Sequence, residues 1–310
     1  IAYNSNDNEI KITNYTKCVQ INSGILTAYL NRGYCYCKQK KYTSALSDFD
    51  KVIELAKNST STSFSTYLDD GYQGKGHCYK VMMYENPNDA SFYFSKAITE
   101  YTNAIIADPN YENYFTRGKL YNDVLYKAEE LNQNETTLVN KSLSDFNKSQ
   151  SLNPNFGETY HLRGNLYEYY LKDLNLALKD YIKWSELEPS EIYAFSNQAG
   201  IYSSLKNYDK SIEKYSKAIS IYPDGWLYYL RALSYIELGK FKEANNDLTK
   251  SISISKDTTN DSWALVENRL IDIYWDRAYT FEKLNNYNSA ILDYNKIIQL
   301  SDNPGSEIYL

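Results

Sequence analysis

A small residue, three others, an aromatic, two more and a further small or apolar residue recur along this chain, each time about a dozen residues after an aromatic. The units read Ala45/Phe49/Val52, Ala97/Tyr101/Ala104, Ser142/Phe146/Ser149, Ala177/Tyr181/Trp184, Ser211/Tyr215/Ala218, Ala244/Leu248/Ser251 and Ala290/Tyr294/Ile297. Pro109, Pro154, Pro189 and Pro223 close four of them at the same offset. A repeat of this length is one helical hairpin, which cannot bury its apolar face alone. Successive hairpins must therefore stack into a solenoid. At 310 residues a single globular core would be near its size limit, whereas a solenoid has no such limit.

Hydrophobic residues make up 43% of the chain, enough for a packed core. No run of eighteen apolar residues exists, so no membrane insertion is expected. The net charge of −6, with both signs interleaved, argues against nucleic acid as a partner. The 34 tyrosines fall partly on the aromatic places of the repeat and read as core packing. The joint richness in Asn, Lys, Ile and Tyr also resembles the product of an AT-rich genome. Cys18, Cys35, Cys37 and Cys78 form no C-x-x-C pair, and only His77 and His161 could join them, so no metal is expected. Buried thiols are the first reading of these cysteines, and a Cys18–Cys35 disulfide the second. There is no Gly-rich phosphate loop, no H-E-x-x-H and no G-x-S-x-G, so neither an enzyme nor a cofactor is expected.

The clearest unit is Ile192–Pro223, IYAFSNQAGIYSSLKNYDKSIEKYSKAISIYP. Phe195, Ala199 and Tyr202 recur at helical spacing, Lys206 and Asn207 make the turn, and Tyr208, Ser211, Tyr215 and Ala218 form a second helix. Gly33, Gly76, Gly118, Gly164, Ala199, Ala232 and Ala278 hold the equivalent small place in the first helices, where they let the second helix approach closely. The order of these residues resembles the tetratricopeptide-repeat pattern W-x2-L-G-x2-Y…A-x3-F…P, with Phe, Tyr and Ala replacing several members. The resemblance covers nearly the whole chain. It implies an all-α fold, a right-handed superhelical α-solenoid of antiparallel helix hairpins. About seven repeats are expected, near 26–58, 69–110, 111–156, 157–191, 192–224, 225–256 and 271–302. Extra residues fall around 85–90 in the second and 131–138 in the third. Residues 1–25 read as a leading half-repeat, a second helix with Tyr15, Cys18, Val19 and Ile21 at its apolar places. Residues 303–310 read as the start of a further helix.

Two patterns extend this reading. The residue before each small place is Arg32, Lys75, Arg117, Arg163, Gln198, Arg231 and Arg277. The residue before each second-helix aromatic place is Asp48, Glu100, Asp145, Asp180, Lys214, Asp247 and Asp293. Six units match a cation with an anion, and the unit that loses one loses both. This predicts an interhelical ion pair in each hairpin except the fifth, partly exposed and worth ~0.5–1 kcal/mol. The second pattern concerns the chain ends. Residues 303–310 repeat the start of the fifth unit, and both ends would present apolar faces, including Ile291, Tyr294, Ile298 and Leu300. They are expected to be covered by further repeats or by another copy stacked end to end. The chain does not open on methionine and shows no signal-peptide pattern, which reads as a removed leader or a window on something longer.

The family resemblance implies a protein or peptide partner bound on the concave face of the first helices. That face has a polar N-terminal half, with Gln73, His77, Lys119, Asn122, His161 and Asn165. Its C-terminal half is aromatic, with Tyr193, Trp226, Tyr229, Trp275 and Tyr279. Family members that hold the acidic C-terminus of heat-shock chaperones use a Lys/Asn clamp on three successive first helices. The matching places here are His161 and Asn165, Asn197, then Trp226 and Leu230, without the basic partners. The competing reading is a structural segment of a long array or an end-to-end fibre, extracellular and glycosylated, whereas the family habit is intracellular. Six N-x-S/T sequons occur, and about five arise by chance at this composition. Asn58, Asn134, Asn140 and Asn260 are the ones expected in loops.

Overall fold

The computed structural model describes residues 2–58, 62–255 and 269–301, with side chains described outside 2–6, 62–66 and 255. Asn260 and residues 302–310 lie outside the described residues. Among those described, the regular structure is helical throughout. The helices are α1 (Ala2–Ile21), α2 (Leu26–Lys38), α3 (Tyr42–Asn58), α4 (Thr62–Glu85), α5 (Ala90–Ala107), α6 (Tyr111–Asp123), α7 (Glu135–Leu152) and α8 (Gly157–Asn165). They continue as α9 (Leu174–Leu187), α10 (Ile192–Ser204), α11 (Tyr208–Ile221), α12 (Gly225–Glu237), α13 (Phe241–Ser255), α14 (Leu270–Lys283) and α15 (Tyr287–Ser301). Consecutive helices pair as hairpins: α2/α3, α4/α5, α6/α7, α10/α11, α12/α13 and α14/α15. The chain forms two compact units, Ile1–Leu166 and Tyr167–Leu310. The division falls inside the stretch expected as the fourth repeat, beside a π-helical turn at Leu166–Tyr170.

The local chemistry sets where helices begin and end. The side chains of Asn110, Asn134, Asp173, Asn207 and Asp224 accept a bond from a first-turn N–H of the helix they precede. At four hairpin turns the chain passes through the left-handed region, at Lys40, Lys206, Gly239 and Asn285. There the next N–H reaches back five residues to a carbonyl, Lys41 to Tyr36, Asn207 to Tyr202, Lys240 to Tyr235 and Asn286 to Phe281. The small places work as expected. A Cβ on Gly33 would stand 2.8 Å from the Phe49 ring, and one on Gly76 2.5 Å from the Tyr101 ring. In the third repeat the extra residues build core: Leu125 and Leu131 are buried, and the Ser91 hydroxyl donates to the Leu131 carbonyl.

The ion pairs of the first, second, third, sixth and seventh repeats form, and they are more buried than the sequence reading held. Arg32–Asp48, Arg117–Asp145, Arg231–Asp247 and Arg277–Asp293 are two-pronged, with Nε and Nη2 each donating to one carboxylate oxygen at 2.6–2.8 Å. The aspartate side chains are 5–8% exposed. The remaining nitrogen, Nη1, donates to a hydroxyl on the preceding repeat's second helix: Thr16, Thr102, Ser216 and Thr249 respectively. Each arginine thus joins three helices. The second repeat uses Lys75, which meets Glu100 of its own repeat at 3.1 Å and Asp50 of the previous one at 2.9 Å. Arg163 donates through Nη1 to Asn147 and Gln150. In the fifth repeat Gln198 donates to the Tyr181 carbonyl and the Ser185 hydroxyl, both on α9, and Lys214 pairs with its neighbour Glu213.

The leading helix departs from its expectation. It packs on α2, with Val19 buried, but Cys18 is exposed and Ile21 is 87% exposed, because both face away from α2. Cys18 and Cys35 are free thiols, so the disulfide alternative is not formed. Cys37 and Cys78 meet in the core between α2 and α4 beside Phe49, where the hydrogen bond they share, and then burial, push the Cys78 thiol upward.

Two measurements check this packing. Asp145→Ala leaves the Arg117 guanidinium without its carboxylate and should cost about 3 kcal/mol in urea denaturation. Arg117→Met with Asp145→Leu should cost clearly less, and equal losses would show that the pair's burial has no role. A maleimide should label Cys18 rapidly in the native protein and the other three thiols only after denaturation. Rapid labelling of Cys35, Cys37 or Cys78 in the native protein would contradict the packing.

Candidate functional site

Each first helix presents three places around its small residue: six before, three before and one after. In the N-terminal unit these places hold Asp70, Gln73 and His77 on α4, Glu112, Phe115 and Lys119 on α6, and Glu158, His161 and Asn165 on α8. Their polar groups are largely taken up within the unit. Lys119 pairs with Glu158 at 2.5 Å, and Lys80 with Asp123 at 2.7 Å, each pair linking two successive first helices. Gln73 donates to Asn113, which is buried and donates in turn to Asp69 at 3.0 Å and to the Asp108 carbonyl at 2.8 Å. His77 lies edge-on to Tyr34, and burial, with Lys80 and Lys38 nearby, holds it below the ordinary histidine range. His161 and Asn165 are half-buried and within hydrogen-bond distance of each other, 3.2 Å apart.

Asp70 is the exception. It is half-buried, and its carboxyl is pushed up to about 6, first by burial and then by Asp69 and Glu112. The folded form holds this proton more tightly than the unfolded chain. The group's contribution to stability is therefore fully present below the ordinary carboxylate range and lost as pH rises through about 6. Asp70→Asn should raise stability at pH 7 by ~1–2 kcal/mol after solvent screening, and leave it unchanged at pH 4. Urea denaturation at the two pH values checks this, and an equal effect at both would contradict it.

In the C-terminal unit the same three places hold Tyr193, Ser196 and Gly200 on α10, Trp226, Tyr229 and Leu233 on α12, and Asp272, Trp275 and Tyr279 on α14. Tyr193 is 62%, Trp275 52% and Tyr279 39% exposed. Trp275 and Tyr279 stand one helical turn apart and share a face with Asp272 and Asp276. The Tyr294 ring meets the edge of Trp275 at 5.2 Å, and Phe241 meets Tyr279 at 6.0 Å, so both exposed rings are braced from one side. Trp226 is half-buried, with the Arg269 guanidinium 5.1 Å over its ring. Tyr229 corrects the sequence reading. It is 6% exposed, because α14 covers it and its hydroxyl bonds to Asp276. Burial raises Tyr229, and it raises Asp276 as well.

Other expectations divide in the same way. Ile291 and Ile298 are exposed on α15, whereas Tyr294 and Leu300 pack against the core beneath α14, and Tyr294 donates to Glu282. Asn58 ends α3 and is exposed, and Asn134 is an exposed cap. Asn140 lies inside α7 rather than in a loop, and the serine of its sequon, Ser142, is buried and bonded to the Gly118 carbonyl. Among the described residues no group of three or more His, Cys, Asp or Glu is arranged to hold a metal, and no helix is long and apolar enough to cross a membrane. A cavity of about 500 Å³ lies between α6 and α7, lined by Tyr114, Arg117, Ser144, Asp145 and Asn147 among others. Its central charges are the Arg117–Asp145 pair already described.

Models of the tetratricopeptide repeat match residues 27–59, 192–224, 227–258 and 271–304, which are the first, fifth, sixth and seventh units. The chain belongs to the tetratricopeptide-repeat family. The Hsp70-Hsp90 organizing protein 3 of Arabidopsis thaliana is 23% identical over 227 residues, covering 71% of this chain and 40% of that protein. The DnaJ homolog subfamily C member 7 homolog of Dictyostelium discoideum is 22% identical, covering 94% of this chain and 59% of that protein. The chain therefore spans only part of the length of these relatives. The crystal structure of a tetratricopeptide repeat protein from Parabacteroides merdae shares the fold, with a TM-score of 0.50, 21% identity and coverage of 90% of this chain and 94% of that one.

Proposed function

We propose that this chain is a non-catalytic scaffold that binds a protein or peptide partner on the first-helix face of its C-terminal unit. The observation that carries this reading is the braced, exposed pair Trp275 and Tyr279, with Tyr193 open on α10. Large rigid rings held half out of the surface offer contact area at low entropic cost, which is how interface anchors work. The equivalent face of the N-terminal unit supports the choice by contrast, since most of its polar groups, Asp70 apart, pair within the unit. The Arabidopsis thaliana relative is an Hsp70-Hsp90 organizing protein by name. A partner-organizing role suits this chain too, but the acidic tail bound by family members with the Lys/Asn clamp does not suit a face carrying Asp272 and Asp276.

A random peptide library displayed on phage and panned on the immobilised chain tests this. Selected peptides should lose ten- to hundred-fold in affinity on Trp275→Ala or Tyr279→Ala, the cost expected of interface anchors. His161→Ala should leave binding unchanged. No enrichment, or binding indifferent to both aromatic substitutions, would remove the proposal.

A further inference from the structure

The charges beside the exposed rings of the C-terminal unit are lopsided. Glu237, Asp272, Asp276 and Glu282 lie at the first-helix side of α12 and α14, and among the described residues none of them is in an ion pair. What contacts they have are to phenols: Tyr208 donates to Glu237, Tyr229 to Asp276 and Tyr294 to Glu282. Asp272 is exposed. The cations nearby are Arg269 and Lys283, and each is parked on a ring, 5.1 Å over Trp226 and 5.0 Å over Tyr279. On the N-terminal unit's first-helix face Asp123 and Glu158 are each neutralised by a lysine of the preceding first helix, while among the described residues Asp70 and Glu112 are in no ion pair there and stand beside no exposed ring of the kind Trp275 offers.

Uncompensated carboxylates next to half-exposed indole and phenol faces form a cation-recognising surface. A guanidinium or ammonium can sit on a ring while an adjacent carboxylate balances its charge. Arg269 on Trp226 shows that contact made within the chain itself, and Trp275, 52% exposed, has no cation over it among the described residues. We infer that the partner segment bound by the α10–α12–α14 face is basic, an extended stretch in which Arg or Lys alternates with apolar residues. The basic residues would meet Asp272, Glu237 and the open face of Trp275, and the apolar ones would lie along Tyr193 and Tyr279. This inference rests on the proposed binding face and names the chemistry of its occupant.

The same phage selection decides it by composition. The enriched pool should carry excess Arg and Lys over the starting library. A synthetic peptide from that pool should bind at least ten-fold more tightly than its copy with serine at each basic place, with the gap narrowing as salt rises. Asp272→Asn with Glu237→Gln, both at exposed positions, should reduce that gap to about two-fold, and Asp272→Lys should reverse the preference toward glutamate-bearing copies. A pool that is neutral or acidic, yet still lost on Trp275→Ala, would overturn the basic partner and leave the binding face standing. A basic preference that survives both carboxylate substitutions would overturn it as well. Failure of any pool to enrich would remove the face and its occupant together.

Discussion

A guanidinium that serves three helices at once holds the hairpins in register. Arg32, Arg117, Arg231 and Arg277 each grip a carboxylate on their own second helix and a hydroxyl on the one before. Apolar stacking alone would let hairpins slide, because a ring packs nearly as well half a turn along. A planar fork aimed at two fixed acceptors does not tolerate such a slip. The flanking aromatics reinforce it, since Arg32, Arg231 and Arg277 each lie over rings three residues before and four after. The small places serve the same end, since without Gly33 or Gly76 the facing ring could not approach.

The fifth repeat does without this fork. Gln198 replaces the arginine, Lys214 the aspartate, and Ile182 stands on α9 where other repeats have Thr16, Asp50, Thr102, Asn147, Ser216 or Thr249. All three members change together because any one left behind would be a buried, unmatched polar group. The amide of Gln198 bonds instead to the Tyr181 carbonyl and Ser185, which keeps the contact to the preceding helix without charge.

The two units treat their first-helix faces differently. In the N-terminal one, lysine–carboxylate pairs run from helix to helix and the amides close a buried network around Asn113. In the C-terminal one, rings stand out of the surface, and among the described residues Glu237, Asp272, Asp276 and Glu282 are in no ion pair. A face that satisfies its own polar groups gains little from a ligand, whereas one with open rings and unbalanced charge has free energy left to release on binding. This asymmetry favours the α10–α12–α14 face over the N-terminal one.

Much of this was written in the sequence. Period, small places and aromatics defined the hairpins, because close helix packing admits only those residue sizes at those positions. The matched Arg and Asp columns predicted the ion pairs, since charges that compensate across a hairpin must change together. The hydroxyl column was just as legible, one place after each second-helix aromatic, but its meaning depends on a neighbour in the next repeat. Tertiary structure alone decided the rest. Tyr229 reads as a ring of the open face, yet α14 covers it and leaves it 6% exposed. Cys18 and Val19 are neighbours that both read as apolar places of the leading helix, yet only Val19 is buried. Burial at such positions is set by which surface lies opposite, and that surface comes from residues tens of places away in the chain.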